Sequence, residues 1–219
     1  VAKIVVFGAG DIARLAHFYF STDSEHEVVA FTVDEEYLTG DTFLDAPLIP
    51  FGRVRALYPP GSYKMFIALS YAKMNEIRAT KYSQARDLGY ELVSYVSSRC
   101  SYLTRSPHGD NCFILEDNTI QPFVRIGSNV TLWSGNHIGH DSTVADHCFI
   151  SSHVVVSGHV SIGRNCFIGV NATLGNNIAV ADFTLIGAGA LVMKDTSARD
   201  VFVPRRTERF PKTSDKMGL

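Results

Sequence analysis

The sequence predicts an α/β unit followed by a parallel β-helix, with a short tail beyond it. Three observations carry this. Short apolar runs alternate with helix-patterned stretches through residues 1–96. From about residue 97 that alternation stops. In its place an aliphatic residue recurs at every sixth position from Ile114 to Val192, fourteen times without a break. The expected divisions are 1–96, 97–203 and a tail over 204–219.

Composition narrows the class. Of 219 residues, 46% are hydrophobic and 19% charged, so a packed core is available and wholesale disorder is excluded. The formal net charge of −2 comes with no basic excess and no polybasic arm, which argues against a nucleic acid or an anionic membrane as partner. No apolar run approaches the roughly 20 residues that span a bilayer. The opening residues Val1 to Phe7 lack signal-peptide architecture. Cys100, Cys112, Cys148 and Cys166 show no CxxC spacing for zinc or redox work. A cytoplasmic protein with reduced thiols is expected.

In the first unit, Lys3 to Phe7 reads as a buried strand, and Ile12 to Phe20 as a helix. Glu27 to Val33 is a second strand and Met65 to Leu69 a third. A helix through Met74 to Leu88 and a strand at Glu91 to Val96 complete it. Strands alternating with helices imply a parallel sheet covered by helices. Tyr37 to Pro60 is rich in Pro and Gly and carries no assignment. The first βα turn, Gly8-Ala9-Gly10-Asp11-Ile12-Ala13, approximates GxGxxG with Ala at its last place. Glycines there let backbone N–H groups approach a phosphate at a helix N-terminus, and Asp34 ends the next strand, where a carboxylate can reach a ribose. Taken alone, this Rossmann-like turn suggests a dinucleotide.

In the second unit the inward positions are Ile114, Ile120, Ile126, Leu132, Ile138 and so on to Val192. Four residues after an aliphatic one, the side chain is usually small or β-branched, as at Cys112, Val130, Cys148, Cys166 and Ala172. Gly follows the aliphatic residue at 127, 139, 163, 169, 175 and 187, with Asn129, Asn165 and Asn171 two places later. Each strand then supplies one large and one small inward side chain, and Gly and Asn are assigned to corners that need positive φ.

This repeat resembles that of the hexapeptide-repeat acyltransferases, whose coils wind left-handed with three hexapeptides each. Residues eighteen apart would then stack at about 4.8 Å. Cys112, Val130, Cys148 and Cys166 form one inward column and read as core. His140 and Asp141 fall at an outward corner, with Gly158 above His140 and His159 above Asp141. A neutral imidazole beside a carboxylate is a proton acceptor near pH 7, and a glycine above it leaves room for a thioester. Trp133, seven residues before His140, suggests either an acceptor pocket or a subunit contact.

As a whole the chain is similar to the sialic acid O-acetyltransferase and bacterial amino-sugar N-acetyltransferase group. The resemblance rests on the glycine turn, His140-Asp141, Ser157-Gly158, the stretch Ile162 to Asn171, and Ile186-Gly187-Ala188-Gly189-Ala190. It implies a histidine base, His140, polarised by Asp141, and an acyl-CoA cosubstrate bound near Gly158, His159, Val170 and Ala188. It also implies a homotrimer with sites between subunits and no required metal. The first unit would hold a nucleotide-linked sugar through Gly8, Ala9, Gly10, Asp11, Asp34 and Ser70. The chain departs from the family at Val203-Pro204-Arg205-Arg206, where a Gly-x-Pro-Ala turn is common. Arg205 and Arg206 read either as phosphate contacts of the CoA or as a solvated basic tail. His153 has no assigned role.

The leading reading is therefore N-acylation of a nucleotide-linked deoxy-amino-sugar, with O-acylation next. Two other classes stand behind it. One is a zinc hydratase, which needs three histidines on one metal, whereas stacking does not unite His137, His140 and His159. The other is a dinucleotide-binding module built on the glycine turn.

Overall fold

The computed structural model describes residues 1–205, 207–209 and 211–217. The first unit runs β1 (Lys3–Phe7), α1 (Asp11–Thr22), β2 (Glu27–Val33), β3 (Thr42–Phe43), β4 (Ala46–Pro50), α2 (Val54–Leu57), β5 (Lys64–Ile67) and α3 (Glu76–Asp87). The strands form one sheet in the order β3-β4-β2-β1-β5, parallel except for the β3–β4 pair. Both faces are covered, so β1 is apolar at every position after Lys3. Ile4 and Val6 pack with Ala13, Ala16 and Phe20 of α1, whereas Val5 and Phe7 pack with Val54 of α2 and Tyr82 and Ala85 of α3.

Two segments differ from the sequence reading. Tyr37 to Pro60 is not structureless: it holds a hairpin whose two-residue loop, Leu44-Asp45, has left-handed φ of 51° and 62°. Its turn lacks the Asn-Gly pair that would have announced it, and Pro47 and Pro50 obscure the strand. Nor does Glu91 to Val96 form one strand of the first sheet. Only Leu92 bridges Met65, and Tyr95–Val96 pairs instead with Phe113–Ile114 as the first rung of the second unit. Ser94 redirects the chain. Its hydroxyl donates to the Gly109 carbonyl at 3.1 Å and accepts the Cys112 N–H at 2.9 Å.

From that rung the chain winds as a three-sided parallel β-helix, its two-residue strands stacking into sheets of seven, six and four. The register is eighteen residues, as in His137↔Val155 and Thr143↔Ser161, except at the last rung, where Leu185 pairs with Val201. All fourteen predicted aliphatic residues lie in one buried core, together with Cys112, Cys148 and Cys166. Side-chain amides extend the ladder inside. Asn118 Oδ1 accepts the Asn136 N–H, and Asn136 Oδ1 accepts the Val154 N–H at 2.8 Å.

The corner glycines need a different explanation from the one their sequence suggested. Gly127, Gly139, Gly163 and Gly169 do not have left-handed φ; the residue two places on does, as at Asn129, Asp141, Asn165 and Asn171. Glycine is required because a Cβ would strike the next coil. At Gly139 it would lie 2.5 Å from the Ser157 carbonyl carbon, and at Gly169, 2.5 Å from the Ala188 nitrogen.

The two units are bolted together by α3. Arg78 is fully buried, and its guanidinium donates to the carbonyls of Asn129, His147 and Cys148 and to the side-chain oxygens of Asn129 and Asn75. Burial without a carboxylate brings its pKa down to about 10. Asn75 donates to the Asn165 and Cys166 carbonyls, and the Tyr71 ring packs on Phe149 and Phe167. Trp133 belongs to this seam: it packs against the α1-side core and Phe149. At the far end Val201–Phe202 pairs with Leu185–Ile186. Arg205 is exposed; Arg206 lies outside the described residues.

Candidate active site

The coil register brings His140, Asp141, Gly158 and His159 to one corner. His140 Nδ1 lies 2.9 Å from Asp141 Oδ2, so the carboxylate fixes the ring and leaves Nε2 as the free nitrogen. The backbone holds the pair in place. The His140 N–H donates to Gln121 Oε1 at 2.9 Å, and the His159 N–H to the His140 carbonyl at 2.9 Å. His159 Nε2 stands 3.9 Å from the same Asp141 oxygen, and the two imidazoles meet edge to face with centroids 5.0 Å apart.

Gly158 makes this geometry possible. A Cβ there would lie 2.7 Å from His140 Nε2 and 2.8 Å from Cε1. The glycine is demanded by the imidazole, not by backbone conformation. Its own N–H already donates to Asn176 Oδ1 at 3.0 Å, and is therefore not a free donor for an oxyanion. The His140 and Asp141 side chains are 53% and 40% exposed, so one chain alone leaves the pair open to water.

His140, Asp141 and His159 each offer one ligand atom, all within 4.8 Å of one another. Tetrahedral zinc places its ligands about 3.3 Å apart, so the side chains would have to close inward to hold it. His137 is not in the group; it sits on a strand between Thr119 and Val155. Of the three histidines considered for a zinc hydratase, one chain brings His140 and His159 to this corner but not His137.

Val170 and Ala188 stack on a different corner, joined by the Gly189 N–H to the Val170 carbonyl at 2.8 Å. They follow the seven-stranded sheet, whereas His140 and Gly158 follow the six-stranded one, so a single chain does not unite the two pairs. On the Val170 corner His153 lies over Gly135, where a Cβ would come 2.6 Å from its ring.

In the first unit Gly8, Ala9, Gly10, Asp34 and Ser70 line one cavity of about 440 Å³, mainly apolar in its walls. Gly8 has φ 129°, and a Cβ there would lie 2.6 Å from the Ala68 carbonyl oxygen. Gly10, by contrast, has open space where a Cβ would stand, and no side chain caps the N-terminus of α1 behind it. Asp11 is not in this cavity. It pairs with Arg14 at 3.4 Å and lines a separate groove with Phe18 and Leu44. The sequence reading missed Lys81, which lines the cavity and pairs with Asp34 at 2.6 Å. Its Nζ also stands 5.2 Å from the ring centroids of Phe7 and Phe51. Ile77 and Lys81, four apart on α3, share the cavity-facing side of that helix, a spacing that could have revealed them.

Comparison with known proteins agrees with this architecture. Residues 123–158 match the family model described as bacterial transferase hexapeptide (six repeats). No curated protein sequence matches the chain significantly. Among solved structures, the acetyltransferase domain of PglB from Neisseria gonorrhoeae FA1090 superimposes with a TM-score of 0.78 at 17% identity, covering 92% of this chain and 96% of that one. A histidine-to-asparagine variant of perosamine N-acetyltransferase from Caulobacter crescentus, in complex with CoA and GDP-perosamine, gives 0.78 at 21% identity, covering 89% and 90%. WeeI from Acinetobacter baumannii AYE gives 0.55 at 17%, covering 87% and 96%. At these identities the likeness is one of fold. The fold class is the left-handed hexapeptide β-helix. Within it, the chain resembles the hexapeptide-repeat sugar acyltransferases in both repeat and architecture.

Proposed function

We propose that the protein transfers an acyl group, with acetyl the first choice, from acyl-CoA to the amino group of a nucleotide-linked deoxy-amino-sugar. One observation carries the reading: His140 is held by Asp141 at 2.9 Å with its free nitrogen against the bare backbone of Gly158. The PglB domain and the perosamine enzyme, named as acetyltransferases, support it by shared fold.

His140 Nε2 accepts a proton from the amine as its nitrogen attacks the thioester carbonyl. Asp141 stabilises the resulting imidazolium through Nδ1 and sets the tautomer beforehand. Collapse of the tetrahedral intermediate breaks the C–S bond, and His140 returns the proton to the departing thiolate. The cysteines near this level of the coil, Cys148 and Cys166, are buried, so attack is direct and no acyl-enzyme forms. Gly158 and His159 line the acyl-CoA path on the base's corner, and Val170 and Ala188 complete it from a neighbouring copy. A homotrimer with sites between subunits accounts for both the split of these residues between corners and the exposure of His140. The oxyanion donor likewise comes from across that boundary, since the Gly158 N–H is taken.

The first unit serves as a Rossmann-like holder for the nucleotide-sugar. Gly8, Ala9 and Gly10 supply close backbone approach at the uncapped N-terminus of α1, and Asp34, Ser70 and Lys81 give the cavity its polar contacts. Asp11, which faces the other groove, has no part in this.

The test is a screen of acetyl-CoA and longer acyl-CoAs against UDP-, dTDP- and GDP-linked amino-sugars, read by release of free thiol. Thiol release that depends on an amino-sugar supports the reading. No release with any pairing, or NAD(H) bound in preference to the nucleoside diphosphates, overturns it.

A further inference from the structure

The corner that carries His140 holds one residue that the chemistry above leaves without a task. Positions 123, 141, 159 and 177 stack in eighteen-residue register, and all four have left-handed φ: Phe123 68°, Asp141 58°, His159 57° and Asn177 58°. Asn and Asp tolerate that conformation; for a bulky aromatic it is an outlier. Phe123 is also 70% exposed. Phe183 has the same backbone conformation, but the Arg199 guanidinium covers it, 4.4 Å from its ring centroid. Among the described residues no ring or cation covers Phe123. Folding alone would favour Asn at this position on both counts, conformation and exposure. An outlier of this kind is a pointer to function.

Its neighbours hold the base. Gln121 Oε1 accepts the His140 N–H, and the Pro122 carbonyl accepts the Asp141 N–H at 3.3 Å. Phe123 is thus an exposed apolar ring one coil below Asp141, while Gly158 leaves the backbone above His140 bare. We propose that Phe123 is the platform for the acceptor: the apolar C–H face of the deoxy-sugar ring lies on the phenyl group while its amino group reaches His140 Nε2. This inference rests on the acyltransferase reading. In that reading the acyl-CoA passes over Gly158, which leaves the lower side to the acceptor. Such a platform selects deoxy-sugars with an apolar face over sugar acids of the same nucleotide.

The experiment compares wild type, Phe123→Asn and Phe123→Trp, using the nucleotide-linked amino-deoxy-sugar that wild type turns over. Phe123→Asn relieves the backbone, so the variant folds and its melting temperature does not fall. Its acceptor KM should rise at least tenfold, with the acyl-CoA KM within twofold and Phe123→Trp close to wild type. Calorimetry should show weaker binding of the nucleotide-sugar but unchanged binding of the bare nucleoside diphosphate. An unchanged acceptor KM, a shift in the acyl-CoA KM instead, or a change in oligomer mass would overturn the assignment. The last two would mean that the ring serves the acyl donor or a second copy of the chain. Failure of the acyltransferase reading is distinct: wild type itself would then release no thiol.

Discussion

Replacing Gly158 by alanine separates the needs of the fold from those of the chemistry. The added Cβ would stand 2.7 Å from His140 Nε2, where ordinary contact begins near 3.4 Å, so the imidazole must retreat by about 0.7 Å. The backbone has no reason to object, since Gly158 is not among the left-handed glycines and its N–H bond to Asn176 survives. Stability should hold, or rise by about 0.4–1 kcal/mol through the loss of unfolded-state freedom. A displacement of this size in a reacting group costs about 100-fold in rate, or about 2.7 kcal/mol. Thiol-release kinetics beside urea denaturation read both quantities. Gly139→Ala is the contrasting case: its Cβ meets the Ser157 carbonyl and the Gly158 nitrogen, so coils must part, at about 1–3 kcal/mol of stability. If Gly158→Ala keeps turnover within threefold of wild type, this glycine does not exist to seat the imidazole.

Arg78→Met should cost about 3–5 kcal/mol in urea denaturation, because it strands the Asn129, His147 and Cys148 carbonyls in a buried seam. A change under 1 kcal/mol would show that α3 docks without it. Burial lowers the pKa of His147 below its ordinary value of 6.5, and Asn129 Nδ2 donates to its ring nitrogen at 2.9 Å. The unfolded chain therefore binds the proton more readily, and stability contributed by neutral His147 is present above pH 6.5 and lost as pH falls below it. Urea midpoints should decline from pH 7 to 5, with His147→Gln flattening part of the slope; equal slopes would remove His147 as a source. Proton counting distinguishes the two acceptor chemistries. An amine that enters as ammonium releases one proton to solvent for each CoA thiol formed, and a hydroxyl releases none. An indicator dye in weak buffer gives the ratio, and a value near zero would move the assignment to O-acylation.

Much of the β-helix was legible because one rule repeats. A six-residue period fixes which side chains point inward, and the eighteen-residue stack that the resemblance to the hexapeptide-repeat acyltransferases implied then brings His140, Asp141, Gly158 and His159 together. The rule failed where a residue's reason lies in another coil. Gly127 and Gly139 looked like turn glycines, yet they are glycine because the next coil passes within 3 Å of where a Cβ would stand. In the first unit the strands around the glycine turn were legible from their apolar runs. The Leu44-Asp45 hairpin was not, since neither residue advertises a left-handed turn. Arg78 was invisible for a related reason: a charged residue on a helix reads as solvent-facing, and only the carbonyls of a unit fifty or more residues away make it a core residue. Lys81 and Asp11 exchanged expectations similarly. Proximity to the glycine turn in sequence placed Asp11 at the cavity, whereas the helical phase of α1 turns it outward and the packing of α3 brings Lys81 in.

The central claim is that His140 is the base. The most direct measurement is thiol release by His140→Ala, made beside calorimetric titration of the same variant with acetyl-CoA. Turnover should fall at least a thousandfold below wild type with acetyl-CoA affinity largely kept, because in the proposed site the cosubstrate lies along Gly158 and its neighbours and the histidine serves only the proton. Turnover near wild type in a variant that folds and binds acetyl-CoA would contradict it.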